Sequence, residues 1–201
     1  MNWKSTQVLI GLVLGAAMLL LAGCNLETGS GNLVTEERDV AGFESVLVSD
    51  GIRVVINVEA SAGHTVSVRY DDNLIDNLIT RVEGTRLVVE FDGAVNVAGG
   101  RDRAVEITMP ALELVDASGG ASVKATGRVD LYRIRASGGA SVLAGELNAD
   151  DVDVDVSGGA SVRVRASSSV TGDASGGASV KVVGSPPSVR VDTSGGASVD
   201  S

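Results

Sequence analysis

Gly172-Asp173-Ala174-Ser175-Gly176-Gly177 sets a serine among glycines, two residues after an acid, and so offers the residue types of a nucleophilic hydrolase. That chemistry needs one serine within reach of a base. Here the serine is not singular: Ser-Gly-Gly-Ala-Ser-Val begins at Ser118, Ser137, Ser157, Ser175 and Ser194. The only histidine, His64, lies in Ala62-Gly63-His64-Thr65, which reads as an exposed turn. A serine repeated five times and one distant histidine do not make a protease. One histidine and one cysteine also exclude a multi-histidine metal site and an intramolecular disulfide.

Oxygen ligands remain. Asp116, Asp155, Asp173 and Asp192 each stand two residues before a repeat serine, and Arg135 takes that place in the second copy. Stacked aspartates repel modestly in water, and a calcium ion would relieve them. Glycine-aspartate rolls, however, use shorter nonapeptide repeats with the acid inside the glycine turn. Arg135 interrupts this column and neutralises its neighbours, so no metal is assigned and these four acids are the only candidates. No cofactor is implied either. Aromatic residues are 2% of the chain (Trp3, Phe43, Tyr70, Phe91 and Tyr132), too few to build platforms for flat cofactors or single-stranded nucleic acid. The formal charge of −10 lacks the basic footprint that phosphate backbones require, which excludes nucleic acid as partner.

The elements that carry these residues follow from the repeat. The five hexapeptides are spaced 19, 20, 18 and 19 residues apart, too regular for low complexity. Between them, Val152-Asp153-Val154-Asp155-Val156 and Val189-Arg190-Val191-Asp192 alternate with period two, as strands with one buried face do. Parity then puts Ala117, Gly119, Ala121, Val123 and Ala125 on an inner face. Ser118, Gly120, Ser122 and Lys124 fall outside. The fourth copy repeats this with Ala174, Gly176, Ala178, Val180 and Val182 inside. Paired glycines and dense β-branched residues argue against helix.

The expectation is therefore all-β: a right-handed parallel β-helix (β-solenoid) with ~19-residue coils stacked at ~4.8 Å, the Gly-Gly pair making a bend. A β-sandwich is the alternative, since turn signals recur there too. Residues 33–115 lack the hexapeptide but read as strands around Val46, Val54, Val66 and Val88, enough for about four more coils. Asp72 to Arg81 reads as a helical turn or a loop. Outward serines would form two hydroxyl columns and a candidate binding face. One column holds Ser118, Ser137, Ser157, Ser175 and Ser194, the other Ser122, Ser141, Ser161, Ser179 and Ser198.

The start of the chain reads as an address. Lys4 precedes an apolar run from Val8 to Leu21, too short for a comfortable span, and Leu21-Ala22-Gly23-Cys24 closes it. Those four residues resemble the lipobox of bacterial lipoproteins, which implies cleavage before Cys24 and acylation of its thiol. The expected organisation is a signal peptide over 1–23, a flexible tether over 24–32 rich in glycine and polar residues, and one domain over 33–201, with the five hexapeptide coils in 116–201. By the same resemblance, Asn25 after the cysteine points to the outer membrane. The partner expected from this is the membrane, through the lipid. An unfinished coil at Asp200-Ser201 exposes strand edges that pair readily, so either Asp200 and the chain carboxylate block that edge or the end docks onto a partner or a second copy, a homo-oligomer.

Arg38-Asp39-Val40-Ala41-Gly42-Phe43, Ser49-Asp50-Gly51-Ile52-Arg53-Val54, Asp72-Asn73-Leu74-Ile75 and Gly84-Thr85-Arg86-Leu87-Val88-Val89 lead into the Ser-Gly-Gly-Ala-Ser-Val coils. Together they resemble the putative auto-transporter adhesin, head GIN domain family of exported bacterial proteins, over about residues 33–201. That resemblance implies a β-helical fold, export and an adhesive role, and brings no catalytic residues. The expected function is a non-catalytic, lipid-anchored scaffold whose faces bind glycan or an envelope protein. A structural or self-assembling envelope component without a specific ligand is the alternative. A polysaccharide-active enzyme is the third reading, but no long insertion interrupts 116–201 to build its groove.

Overall fold

The computed structural model describes residues 27–96 and 102–201. The strands of the first half are β1 (Glu27–Thr28), β2 (Leu33–Arg38), β3 (Ser45–Val48), β4 (Arg53–Val58), β5 (Thr65–Asp71), β6 (Leu78–Glu83), β7 (Arg86–Phe91), β8 (Val95–Asn96) and β9 (Ala104–Met109). The second half supplies β10 (Leu114–Ala117), β11 (Ser122–Arg128), β12 (Leu131–Ala136), β13 (Ser141–Val156), β14 (Ser161–Ala174), β15 (Ser179–Val183), β16 (Ser188–Thr193) and β17 (Ser198–Asp200). Within Asp72 to Arg81, Ile75–Asn77 forms a single 3-10 turn, and the segment then enters β6.

Fifteen of these strands form one mixed sheet. It folds over into two walls that nearly close around a single core. The first wall runs β2-β5-β9-β4-β11 and continues through the first part of β13, the first part of β14, β15 and β17. The second runs β6-β7-β3-β10-β12, then the later parts of β13 and β14, then β16. This corrects the expected right-handed parallel β-helix. Pairs β2–β5, β5–β9 and β6–β7 are antiparallel. Strand order also departs from chain order, since β9 sits between β5 and β4. The sandwich alternative fails as well, because the walls belong to one sheet rather than two. The physical reason is local: identical hexapeptides dictate in-register parallel stacking only where they occur, and residues 33–113 have none to impose it.

Within the repeats the stacking is residue for residue. Ser122 pairs in register with Ser141, Ser141 with Ser161, Ser161 with Ser179, and Ser179 with Ser198. Each hexapeptide turns the chain from the second wall to the first. The turn is closed by the alanine N–H donating to the serine carbonyl, from 3.0 Å in the first copy to 3.4 Å in the last. The unequal repeat intervals are absorbed at the opposite corner. Register shifts fall between Lys124 and Thr126 and between Ala144 and Asp151, never in a Gly-Gly turn.

Burial explains the alternation. Ala117, Ala121, Val123 and Ala125 are inside, as are Ala174, Ala178, Val180 and Val182. Each fully buried valine contributes about 1.5–3 kcal/mol. Gly119 and Gly176, expected on the inner face, are instead exposed, because the chain leaves the wall at the turn and the period of two stops there. The larger side chains Phe43, Leu87 and Phe91 fill the N-terminal half of the core.

In the last four hexapeptide turns the two glycines do different work. Gly158 has φ +69°, and a Cβ there would lie 3.0 Å from the carbonyl oxygen of Gly138 in the turn beneath. At Gly159 a Cβ would meet nothing nearer than 3.5 Å. Gly158→Ala is therefore expected to cost about 2 kcal/mol from left-handed strain and the tight stack. Gly159→Ala is expected to cost under about 0.5 kcal/mol. Paired urea melts check this, and equal midpoints for the two variants would refute the assignment.

Candidate binding faces

The hexapeptides place the two serine columns on different parts of the surface. Ser118, Ser137, Ser157, Ser175 and Ser194 open the turns and line a narrow turn edge. The N–H of Ser137 donates to Ala117 O at 3.0 Å, Ser157 to Ala136 O at 2.9 Å and Ser175 to Val156 O at 2.8 Å. Ser122, Ser141, Ser161, Ser179 and Ser198 stand on the outer face of the first wall, half-buried to exposed. A local hydrogen bond from each hydroxyl to its own turn would have explained the serines structurally. Backbone groups do that work instead. Among the described residues no other protein group engages the ten hydroxyls, which leaves them to solvent.

A sixth turn belongs to the same stack and was not read from the sequence. Ser49-Asp50-Gly51-Ile52 closes with Ile52 N–H donating to Ser49 O at 3.1 Å, and Ser118 N–H donates to Val48 O just beside it. A Cβ on Gly119 would lie 3.2 Å from Asp50 N, so the first hexapeptide turn rests directly on this one. Asp50 takes the left-handed conformation at φ 57°, which aspartate tolerates. Its carboxylate accepts from Ser49 Oγ at 2.7 Å and from Phe91 N–H at 3.2 Å. The signal was a serine, a left-handed-tolerant residue and a glycine ahead of an apolar one; the separation from the repeats hid it.

Beside the wall serines runs a second outward column: Lys124, Leu143, Arg163, Lys181 and Asp200. Lys124 meets Glu146 at 2.9 Å, and Lys181 meets Asp200 at 2.9 Å. Arg163 lies over Gly145 and makes no ion pair among the described residues. The second wall carries the aspartate column: Asp116, Arg135, Asp155, Asp173 and Asp192 are in register. Among the described residues no group of three or more histidine, cysteine or acidic side chains converges as metal ligands do. The column is a stacked surface feature, not a cluster.

His64, expected to be an exposed turn residue, is half-buried. Its Nε2–H donates to the carbonyl of Phe43 at 2.7 Å, and its ring packs edge-on against Phe43 at 4.5 Å. It staples the loop before β5 to the core.

The strongest electrostatic perturbations are likewise structural. Asp71, fully buried, is held by Arg103 Nε and by Arg103 Nη2 at 2.8 Å, and accepts from Gly31 N–H at 2.7 Å. The Arg103 hydrogen bonds draw its carboxyl down to about 2, against the opposing effect of burial. Burial pushes Tyr70 up to about 12 and drives Tyr132 above the tyrosine range. Residues 27–32, within the expected tether, lie against this region: Asn73 Nδ2 donates to Thr28 O at 3.0 Å, and Ser30 N–H to Asn73 Oδ1 at 2.8 Å.

At the corner opposite the turns, β9 leads into β10 across the end of β4, and a groove of about 660 Å³ lies beside that step. Leu112, Val129 and Leu131 line it together with Glu113, Asp130 and Arg133. Cys24 lies outside the described residues. Among those described, no helix is long and apolar enough to cross a membrane.

A single mixed sheet folded over one core, with serine columns stacked in register on its outside, defines the class as an all-β protein. The chain belongs to the family described as "Putative auto-transporter adhesin, head GIN domain", which matches residues 42–124 and again 114–186. It is an adhesin family rather than an enzyme family, and adhesins work outside the cell or at its envelope. A comparison with curated proteins finds no match. Among solved structures, a putative adhesin from Bacteroides fragilis is similar over 86% of this chain and 98% of its own, at 16% identity and a TM-score of 0.52, a likeness of fold. Another putative adhesin, from Parabacteroides merdae, is 14% identical over 86% of this chain and 97% of its own, with a TM-score of 0.41.

Proposed function

We propose that the protein is a non-catalytic adhesive scaffold of the bacterial envelope, anchored by lipid on Cys24 after removal of residues 1–23, with the outer membrane as its address. Its ligand is a hydroxyl-rich or anionic polymer, a glycan above all, bound along the serine columns. One observation carries this reading: ten hydroxyls stand in two stacked columns, and among the described residues no protein group engages them. A polymer laid along the stack meets the same donor and acceptor at every ~4.8 Å layer, and neighbouring Lys124, Arg163 and Lys181 attract acidic sugars.

The test is glycan-array binding of the full chain with alanine placed at Ser137, Ser157 and Ser175, and separately at Ser141, Ser161 and Ser179. Because contacts repeated along a polymer add as avidity, one of the triple variants is expected to lose binding about tenfold or more. Unchanged binding by both ends the proposal for these faces. The anchor is tested apart from the ligand: palmitate labelling is expected to vanish in Cys24→Ser, and labelling that persists removes the lipid from the account.

A further inference from the structure

The five hexapeptides divide the repeat region into five layers, each with one outward face on either wall. Comparing the faces layer by layer shows a match. Where the second wall presents Asp116, the first wall of the same layer presents Lys124. Where it presents Arg133 and Arg135, the first wall carries no cation but Leu143, which is 46% exposed. Asp153 and Asp155 share a layer with Arg163. Asp173 shares one with Lys181, and Arg190 and Asp192 share one with Asp200.

Within one molecule several of these charges have neighbours on their own wall: Lys124 meets Glu146, Lys181 meets Asp200 and Arg133 meets Asp153 at 3.5 Å, while Arg163 makes no ion pair among the described residues. The two faces point away from each other across a core about 10 Å thick, so neither can satisfy the other. Between two copies set side by side, with the first wall of one against the second wall of the next and the layers level, the match becomes contact. Arg163, which makes no ion pair among the described residues, then meets Asp155, with Asp153 beside it already shared with Arg133. Leu143 lies along the aliphatic stems of Arg133 and Arg135. The geometry points to lateral, head-to-tail association of copies of this chain, wall to wall, through a surface that covers the wall serine column and leaves the turn-edge column free. Such a heterologous contact does not close and extends into a row. The turn edge, with Ser118, Ser137, Ser157, Ser175 and Ser194, stays uncovered along the row.

The contact is small. Five layers at ~4.8 Å and about five residues of width cover about 400 Å² per copy. Stable complexes bury about 800 Å² per partner, so this pairing needs crowding and is weak in dilute solution.

The test uses full-length chains in detergent at about 1 mM, a concentration suited to so small an interface. One chain carries Leu143→Cys and the other Arg135→Cys, and a short bismaleimide traps contacts. Cys24 is common to all chains, so the unsubstituted chain sets the background. Since only the head-to-tail contact brings the two positions together, the mixture is expected to yield about tenfold more dimer than either variant alone. Arg163→Asp, added to the Leu143→Cys chain, is expected to lower the yield about fivefold, and Asp153→Arg with Asp155→Arg on the other chain to restore it. Absence of mixed dimer overturns the inference, as does self-linking of one variant at the mixture's level, or a yield indifferent to the charge reversal. Glycan binding by the serine variants is read separately, in dilute solution where the chains stand apart and the wall serines are uncovered.

Discussion

Gly172→Ala is expected to detach the last layers of the sheet. Gly172 sits inside β14, level with Val154 of β13 and Val191 of β16. Its φ is +131°, and a Cβ would lie 1.9 Å from the carbonyl oxygen of Val154 and 2.8 Å from its carbonyl carbon. No rotamer relieves a clash between Cβ and backbone, so either β14 or β13 must move. Together, strain and overpacking are expected to cost about 4 kcal/mol or more. Asp173→Ala, one residue on and exposed, serves as control and is expected to change stability by less than about 0.5 kcal/mol. Hydrogen exchange reads the locality: protection is expected to fall over residues 175–201 while the N-terminal half keeps it. A Gly172→Ala protein as stable as the control would remove the packing role from this glycine.

Asp71→Asn is expected to cost about 3 kcal/mol, because it removes the buried carboxylate that Arg103 and the Gly31 N–H both engage. The pair ties the end of β5 to the residue just before β9, and Gly31 N–H adds the N-terminal segment to the same carboxylate. The closeness of that segment is visible at Gly29, where a Cβ would fall 2.6 Å from the Asp71 carboxyl. In the folded protein the Asp71 carboxyl titrates at about 2, below its ordinary 3.8. Its contribution is therefore fully present above about pH 4 and is lost as pH falls through the folded value near 2. Urea melts of wild type and variant between pH 7 and pH 2 should converge toward the acid end. A constant gap across that range would show that the stabilising charge lies elsewhere.

Both predictions concern residues whose roles were only partly legible in the chain. Gly172 drew notice as part of a nucleophile-like motif, yet its work is steric, set by a strand distant in sequence. Asp71 and Arg103 are separated by 32 residues, and no local pattern links them. Asp50 and Gly51 belong to the residues of the family resemblance, but nothing local marks them as a turn stacked beneath the hexapeptides. The serine columns, by contrast, were legible residue by residue, because identical hexapeptides stack with identical neighbours. The aspartate column was legible for the same reason. Its match to the cations of the opposite wall was not, since that comparison needs to be made layer by layer.

Strand character, the inward valines and alanines and the in-register stack of the repeats follow from the sequence alone. The alternation of period two and five copies of one hexapeptide leave the backbone few other choices. Local signals bound the hexapeptide bends as well: a glycine pair marks each of the five, and the structure adds that the first glycine is the one the stack requires. Tertiary structure decided how residues 33–113 join. There β5, β6 and β9 pair antiparallel or out of chain order, and a mixed sheet replaces the uniform parallel coil. The difference is physical. A repeated sequence makes one register best at every step, whereas unrepeated strands of similar valine content can pair in several ways. Long-range contacts such as Asp71 with Arg103 and Phe43 with His64 choose among them.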